Sequence, residues 1–322
     1  RGSRTPRAPF WLLLLLLLPQ LRGWGRPHHS GREEHWGQKQ GIHRFQASYH
    51  LYFVVGKSGS VNNHWMDFCV FFEDLVNKFK NPKLRMSFIL YSTEGTTFMP
   101  LTSDRKKIEQ SFVELKKILP GGPSYLQEGL KRANEQIEEQ IQGGKMVSSM
   151  IIAFTHGTLE PGPYEETKYE AQRARFMGAT VYGVGVKDYD NLEGFADTKD
   201  HALGVTGGFS ALQGITDRLA EKSCIYLSSL EPSTACVGGE YAVMVRGSGL
   251  QNTQNKKYVI CRFKFSDGTS SDETAISVEE KAIVCPGVEL EEAGEEIFVE
   301  ISLNKGQTFF ANNLKFTSQL CA

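Results

Sequence analysis

From residue 50 to about residue 221 the chain alternates short apolar runs with longer segments whose apolar residues recur every three or four positions. The runs HLYFVV (50–55), LRMSFILYS (84–92), VSSMIIAF (147–154) and ATVYGVGV (179–186) do not alternate in polarity. As strands they must therefore be covered on both faces. Between them, Trp65, Phe68, Phe72, Leu75 and Phe79 fall at helical spacing over 64–79. Asp104 stands as an N-cap ahead of Ile108, Phe112, Leu115 and Ile118, and Pro120-Gly121-Gly122-Pro123 ends that helix. Further helices are expected over 125–141, stopped by Gly143-Gly144, over about 165–177, and near 209–221. This rhythm predicts an α/β fold, a doubly wound, mostly parallel sheet with helices on both faces.

Near residue 227 the pattern changes. EYAVMVRG, YVICRFKFSDG, TAISVEEKAIVCP, EIFVEISLNKG and QTFFANNLKFTS read as short strands separated by turns such as Asp267-Gly268 and Lys305-Gly306. About 95 residues of this kind predict a small antiparallel β-sandwich of immunoglobulin-like type. Cys236, Cys261, Cys285 and Cys321 all lie in it and allow three pairings. We favour Cys236–Cys321, which would tie the ends of the domain, with Cys261–Cys285. Cys224 stands at the junction without an obvious partner, and Cys69 sits on the apolar face of the first helix, where a buried thiol is expected.

Lysine plus arginine number 36 and aspartate plus glutamate 37, a net charge of −1. That balance argues against a nucleic-acid or anionic-membrane footprint. Residues 1–24 carry Arg1, Arg4 and Arg7 ahead of the apolar run Phe10–Leu18. Nine apolar residues span only about 14 Å as a helix, so the segment reads as a secretory signal peptide and not a membrane span. The organisation expected is a signal peptide (1–24), a polar linker (25–45) containing His28, His29, His35 and His43, an α/β domain (46–226) and a sandwich (227–321).

The first strand runs into Gly56-Lys57-Ser58-Gly59-Ser60. A phosphate-binding loop would need a glycine five residues before Gly56, where Leu51 stands, so nucleotide binding is not expected. The loop does lie at the carboxyl edge of the sheet, where such folds bind ligands. Asp-x-Ser-x-Ser at this place marks the metal-ion-dependent adhesion site of von Willebrand factor A domains. Here the spacing is kept, but Gly56 replaces the Asp.

The stretches LYFVVGKSGSVNNHW (51–65), MPLTSDRKKI (99–108), SYLQEGLKRANEQI (124–137), VYGVGVKDY (181–189) and EPSTACVGGEY (231–241) resemble the anthrax toxin receptor family. SLNKGQTFF (302–310) is nearest to its receptor-like branch. The resemblance runs from residue 46 to 321. It implies a single-pass type I cell-surface receptor, with a von Willebrand A domain, an immunoglobulin-like domain and a membrane helix beyond Ala322. It implies extracellular-matrix proteins as partners, no enzymatic activity, and Mg²⁺ or Mn²⁺ as the metal. By the same resemblance Ser58 and Ser60 occupy metal-ligand positions and Ser124 stands in for a threonine ligand. Gly56 and His156 replace the two family aspartates.

Mg²⁺ wants hard oxygen ligands and carboxylate charge. Three hydroxyls without either aspartate are expected to bind it weakly or not at all. The family also bridges a cysteine before the first strand to the one at the junction. Phe45-Gln46-Ala47-Ser48 contains none, which leaves Cys224 odd. Three readings follow: an adhesion receptor with a degenerate metal site, a conventional metal-dependent one, or a decayed family member. Ser58, Ser60 and His156 could be nominal hydrolase residues, but no Gly-x-Ser-x-Gly elbow and no orienting carboxylate accompany them. Trp65, beside the site, is a candidate ligand contact if exposed; the alternative is that it packs beneath the first helix.

Overall fold

The computed structural model describes residues 45–46, 49–145, 147–187 and 191–321. The signal peptide and the linker up to residue 44 lie outside the described residues.

Apart from the two-residue β1 (Phe45–Gln46), the α/β part begins with β2 (Tyr49–Gly56). There follow α1 (Trp65–Lys78), β3 (Arg85–Tyr91), β4 (Gly95–Thr102), α2 (Arg105–Leu115) and α3 (Leu126–Gln142). The second half comprises β5 (Ser148–His156), α4 (Pro161–Phe176), β6 (Thr180–Val186), β7 (Ala202–Val205) and α5 (Thr216–Ser223), preceded by a 3₁₀ turn (Phe209–Ile215). The sheet order is β4-β3-β2-β5-β6-β7, parallel except for β4. The central runs are buried throughout, as two covered faces require.

On one face, Phe53 and Phe72 meet with ring centroids 5.0 Å apart, and Phe72 also meets Phe88 at 4.8 Å and Phe112 at 5.6 Å, all edge-on. This aromatic cluster docks α1 and α2. On the other face α3 places Leu130, Ala133 and Ile137 against the sheet, and α4 buries Thr167, Glu170, Ala171 and Ala174. The small residues of α4 explain why its start escaped the periodicity reading. The sequence places this helix from about residue 165, yet Pro161 opens it at its first position, where a missing N–H costs nothing. The strands β4 and β7 also went unread. One is an edge strand containing Pro100 and the other has four residues. Asp104 caps α2, its carboxylate accepting from Lys106 N–H at 3.0 Å.

The sandwich contains β8 (Tyr226–Glu231), β9 (Thr234–Cys236), β10 (Ala242–Ser248), β11 (Ile260–Lys264) and β12 (Ser270–Thr274). It is completed by β13 (Ser277–Val278), β14 (Ala282–Pro286), β15 (Glu296–Ser302) and β16 (Phe310–Gln319). The two sheets are ordered β1-β8-β10-β14-β13 and β12-β11-β15-β16-β9. The sheets are antiparallel, as expected, apart from the short parallel pair of β16 with β9. Disulfides join Cys236 to Cys321 and Cys261 to Cys285. Cys69 is buried, and burial pushes its thiol pKa up to about 12.

Phe45 and Gln46, assigned by sequence to the linker end and the α/β domain, instead pair antiparallel with Leu227 and Tyr226 of the sandwich. This backbone pairing brings the residues ahead of β2 to the junction with the sandwich. Cys224 belongs to neither disulfide and lies beside the buried Tyr49 hydroxyl.

The two parts are joined by hydrogen bonds. Tyr182 Oη–H donates to Asn252 Oδ1 (2.5 Å), Asn252 Nδ2 to the Lys222 carbonyl (2.7 Å), Tyr49 Oη–H to the Ser223 carbonyl (3.1 Å) and Asn304 Nδ2 to the Gly178 carbonyl (3.1 Å).

His50, in β2, is buried, and its pKa falls to about 4, chiefly because burial disfavours the imidazolium and secondarily because Arg85 and Lys145 repel it. An unfolded histidine titrates near 6.5, so the unfolded chain takes up this proton first. The neutral His50 therefore contributes stability that is complete above about pH 6.5 and lost as pH falls towards 4, to a total of about 3 kcal/mol. Urea unfolding across this range should show the decline, and His50→Gln should remove that part of it. An unchanged pH profile in the variant would contradict the assignment.

Candidate functional site

Three loops meet at the carboxyl ends of β2, β3 and β5, and backbone hydrogen bonds bind them together. Lys57 N–H donates to the Tyr91 carbonyl (2.9 Å), Gly121 N–H to the Lys57 carbonyl (2.8 Å), Gly59 N–H to the Gly122 carbonyl (3.0 Å) and Tyr125 N–H to the Ser92 carbonyl (3.1 Å). Ser92 Oγ–H adds a bond to the Gly121 carbonyl at 2.5 Å. Gly122 makes the turn at φ +84°, and a Cβ there would stand 2.4 Å from Ser92 Oγ. Only glycine fits that crossing.

Ser58, Ser60, Ser124, Gly56 and His156 all stand at this edge of the sheet, on the three loops and the end of β5. Ser58 is buried, and its Oγ lies 2.8 Å from the Oγ of the exposed Ser60. Ser124 Oγ and Thr155 Oγ1 are buried without a well-formed hydrogen bond, and both neighbour the Tyr91 hydroxyl.

The unexpected occupant is Tyr91. In register it is the strand partner of Gly56. Its hydroxyl donates to the Phe154 carbonyl at 2.9 Å, and burial raises its pKa to about 12. A Cβ on Gly56 would lie 2.8 Å from the Tyr91 hydroxyl oxygen and 2.9 Å from its ring carbon. The tyrosine fills the space that a side chain at position 56 would need. What remains beneath the loops, lined by Gly56, Ser58, Phe154, Thr155, His156 and Phe209, is a cavity of about 10 Å³. That is at the lower limit for one water molecule.

Above it lies an open groove of about 400 Å³. Phe209 forms one wall, held between two imidazoles. His64 stacks on one side at 4.8 Å and 11°, and His156 stacks on it at 4.9 Å and 26°. Asp67 and Lys187 also line the groove, with Asp67 Oδ2 3.5 Å from His64 Nδ1. Among the described residues no three of His, Cys, Asp and Glu come together as a metal-binding group.

Trp65 is corrected by the structure. It is 4% exposed, and its indole N–H donates to the Leu115 carbonyl at 3.0 Å, tying α1 to the end of α2. An indole so placed has no face for a ligand. Sequence reasoning missed Tyr91 and Phe209 as parts of the site. Tyr91 read as the end of a buried strand and Phe209 as the start of a helix, because register and loop packing carry no local signal.

Residues 50–218 match the family model for the von Willebrand factor type A domain, and residues 222–322 match that for the anthrax receptor extracellular domain. The collagen alpha-5(VI) chain of Homo sapiens is 26% identical over 225 residues, covering 67% of this chain and 8% of the collagen chain. Among solved structures, proximal thread matrix protein 1 from the mussel byssus, with a zinc-occupied MIDAS motif, superposes with a TM-score of 0.48 at 17% identity, over 57% of this chain and 47% of that one. The pilus adhesin SpaC from Lactobacillus rhamnosus GG gives a TM-score of 0.49 at 11% identity, over 84% and 43% of the two chains. The chain thus spans less than half of these structures and a small fraction of the collagen relative.

Proposed function

We propose, since the chain belongs to the von Willebrand factor type A family and carries an anthrax receptor extracellular domain, that it is the adhesive part of a cell-surface receptor that binds an extracellular-matrix protein without a metal. The observation carrying this reading is the Tyr91 side chain, whose hydroxyl lies 2.8 Å from where a Gly56 Cβ would be. Family members place a carboxylate on that Cβ. Here neither the carboxylate nor the space for it is present.

The remaining donors do not fit Mg²⁺. Ser58 and Ser60 hydroxyls are neutral and bonded to one another, and His156 is a softer nitrogen ligand stacked on Phe209. No step of recognition is therefore routed through a cation. The groove beside Phe209 offers a stacked aromatic wall, the His64–Asp67 pair and Lys187 for direct contacts with a protein ligand. We propose a non-enzymatic role with it, since von Willebrand factor type A and receptor-type extracellular domains are generally adhesion modules. No helix among the described residues is long and apolar enough to cross a membrane.

Binding of the full chain to immobilised collagen VI and other matrix proteins, in Mg²⁺ and in EDTA, tests the reading. Equal binding in both buffers, reduced by Phe209→Ala, is expected. Loss of binding in EDTA would instead favour the conventional metal-dependent adhesion that the family match allows.

A further inference from the structure

Far from the loops just described, a second groove of about 270 Å³ lies between the carboxyl end of α4 and the loops of the sandwich. Its α/β wall carries Gln172 and Phe176, and its sandwich wall carries Gln254, Tyr258, Lys305 and Gln307. Phe176 is 76% exposed, an aromatic ring left in water at the rim of a polar cleft. The wall is fixed. Asn304 bonds the Gly178 carbonyl and Thr308, and Lys305 N–H donates to the Tyr258 carbonyl at 2.8 Å with Lys305 held at φ +58°. Gln254 Nε2 donates to the Arg175 carbonyl at 3.4 Å.

The lining chemistry is selective. Among the described residues no carboxylate lines the groove. Arg175 is already committed to Asp197 at 3.2 Å. The Lys305 ammonium lies 5.7 Å from the Tyr258 ring centre. Lys256 and Lys257, both exposed, precede the half-buried Tyr258 on a 3₁₀ turn. Four carboxamides line it, of which Asn304 is committed to Gly178 and Thr308. Gln254, Gln307 and Gln172 (which accepts from Arg175) keep donor and acceptor capacity that suits a ligand rich in hydroxyls. Two aromatic faces suit the apolar face of a sugar ring, and three lysines of one sign focus a field that attracts anions. An acidic peptide would use the lysines and pair its backbone with the carboxamides, but its carboxylate side chains offer no apolar ring face to Phe176 and Tyr258.

We infer that this interdomain groove binds an acidic saccharide, with Lys305 contacting its carboxylate or sulfate and Phe176 and Tyr258 stacking on its rings. The volume admits about one to two sugar residues of a longer chain. The site is independent of the loops at the carboxyl edge of the sheet, so it stands or falls apart from the metal-free adhesion reading.

Titration of the full chain with a heparin tetrasaccharide, a hyaluronan tetrasaccharide and neutral chitotetraose tests it. Binding of either acidic probe is expected, without binding of the neutral one. The hyaluronan result identifies carboxylate recognition, and heparin alone identifies sulfate. Lys305→Asn removes the charge while tolerating the left-handed backbone, and should weaken binding about tenfold, as loss of one charged hydrogen bond does. Phe176→Ala, at an exposed position, should weaken it by a similar factor, and Lys117→Gln, in the turn after α2, should not. The inference is overturned if neither acidic probe binds, if the neutral probe binds equally, if both groove variants bind as the natural chain does, or if a polyglutamate peptide binds more tightly than the saccharides.

Discussion

Gly56→Asp together with His156→Asp, in a Tyr91→Phe background, is expected to give a chain that binds Mg²⁺, where the natural sequence does not. The two aspartates return the charge that offsets dehydration of a hard cation, and Ser58, Ser60 and Ser124 supply hydroxyls beside them. Tyr91 decides whether they can act. With the tyrosine in place, a side chain at position 56 meets its hydroxyl at 2.8 Å and its ring at 2.9 Å, so the double variant should lose about 1–3 kcal/mol of stability to overpacking. Tyr91→Phe removes the hydroxyl and its bond to the Phe154 carbonyl, leaving the ring free to tilt. A site filled at a hundred times its dissociation constant would then stabilise the fold by about 2.7 kcal/mol. Thermal unfolding with and without Mg²⁺ reads both effects. A Mg²⁺-dependent rise in the natural chain would sink the argument, as would a triple variant indifferent to the ion.

Phe72→Ala is expected to cost about 3–5 kcal/mol, from lost burial and from the cavity left among rings that cannot collapse into it. Phe72 has no exposed surface and meets Phe53, Phe88 and Phe112 edge-on across the interface of α1, α2 and the sheet. Met66, on the same helix, is 53% exposed, and Met66→Ala should change stability by less than about 0.5 kcal/mol. Urea midpoints of the two variants give the comparison. A loss below about 1.5 kcal/mol at Phe72 would mean that the aromatic cluster repacks and does not anchor the first helix.

The elements that the sequence declared best are those whose pattern repeats over several turns. The spacing of Phe68, Phe72 and Leu75, and of Leu130, Ala133 and Ile137, forces an apolar face onto any helix containing them. Central strands without alternation could only sit in a doubly covered sheet. The β4 edge and the four residues of β7 left weaker traces, since short or half-exposed strands bury too little to impose a pattern. The β1 pairing left none. Two residues carry no period, and their partner lies about 180 positions away.

The amino-acid sequence by itself determined the two-part architecture, the loop bearing Ser58 and Ser60, and the absence of carboxylates at Gly56 and His156. These are matters of local pattern and residue chemistry. Only the tertiary structure decided what occupies the space those carboxylates would need, where Trp65 points, and that a polar groove opens between α4 and the sandwich. Tyr91 reaches Gly56 because two parallel strands end at the same level. Trp65 turns inward because α2 offers it a carbonyl. The groove exists because Gln172 and Gln307, 135 positions apart, are brought to facing walls when the sandwich docks. Each depends on register or docking between distant segments, which long-range packing sets and local pattern does not encode.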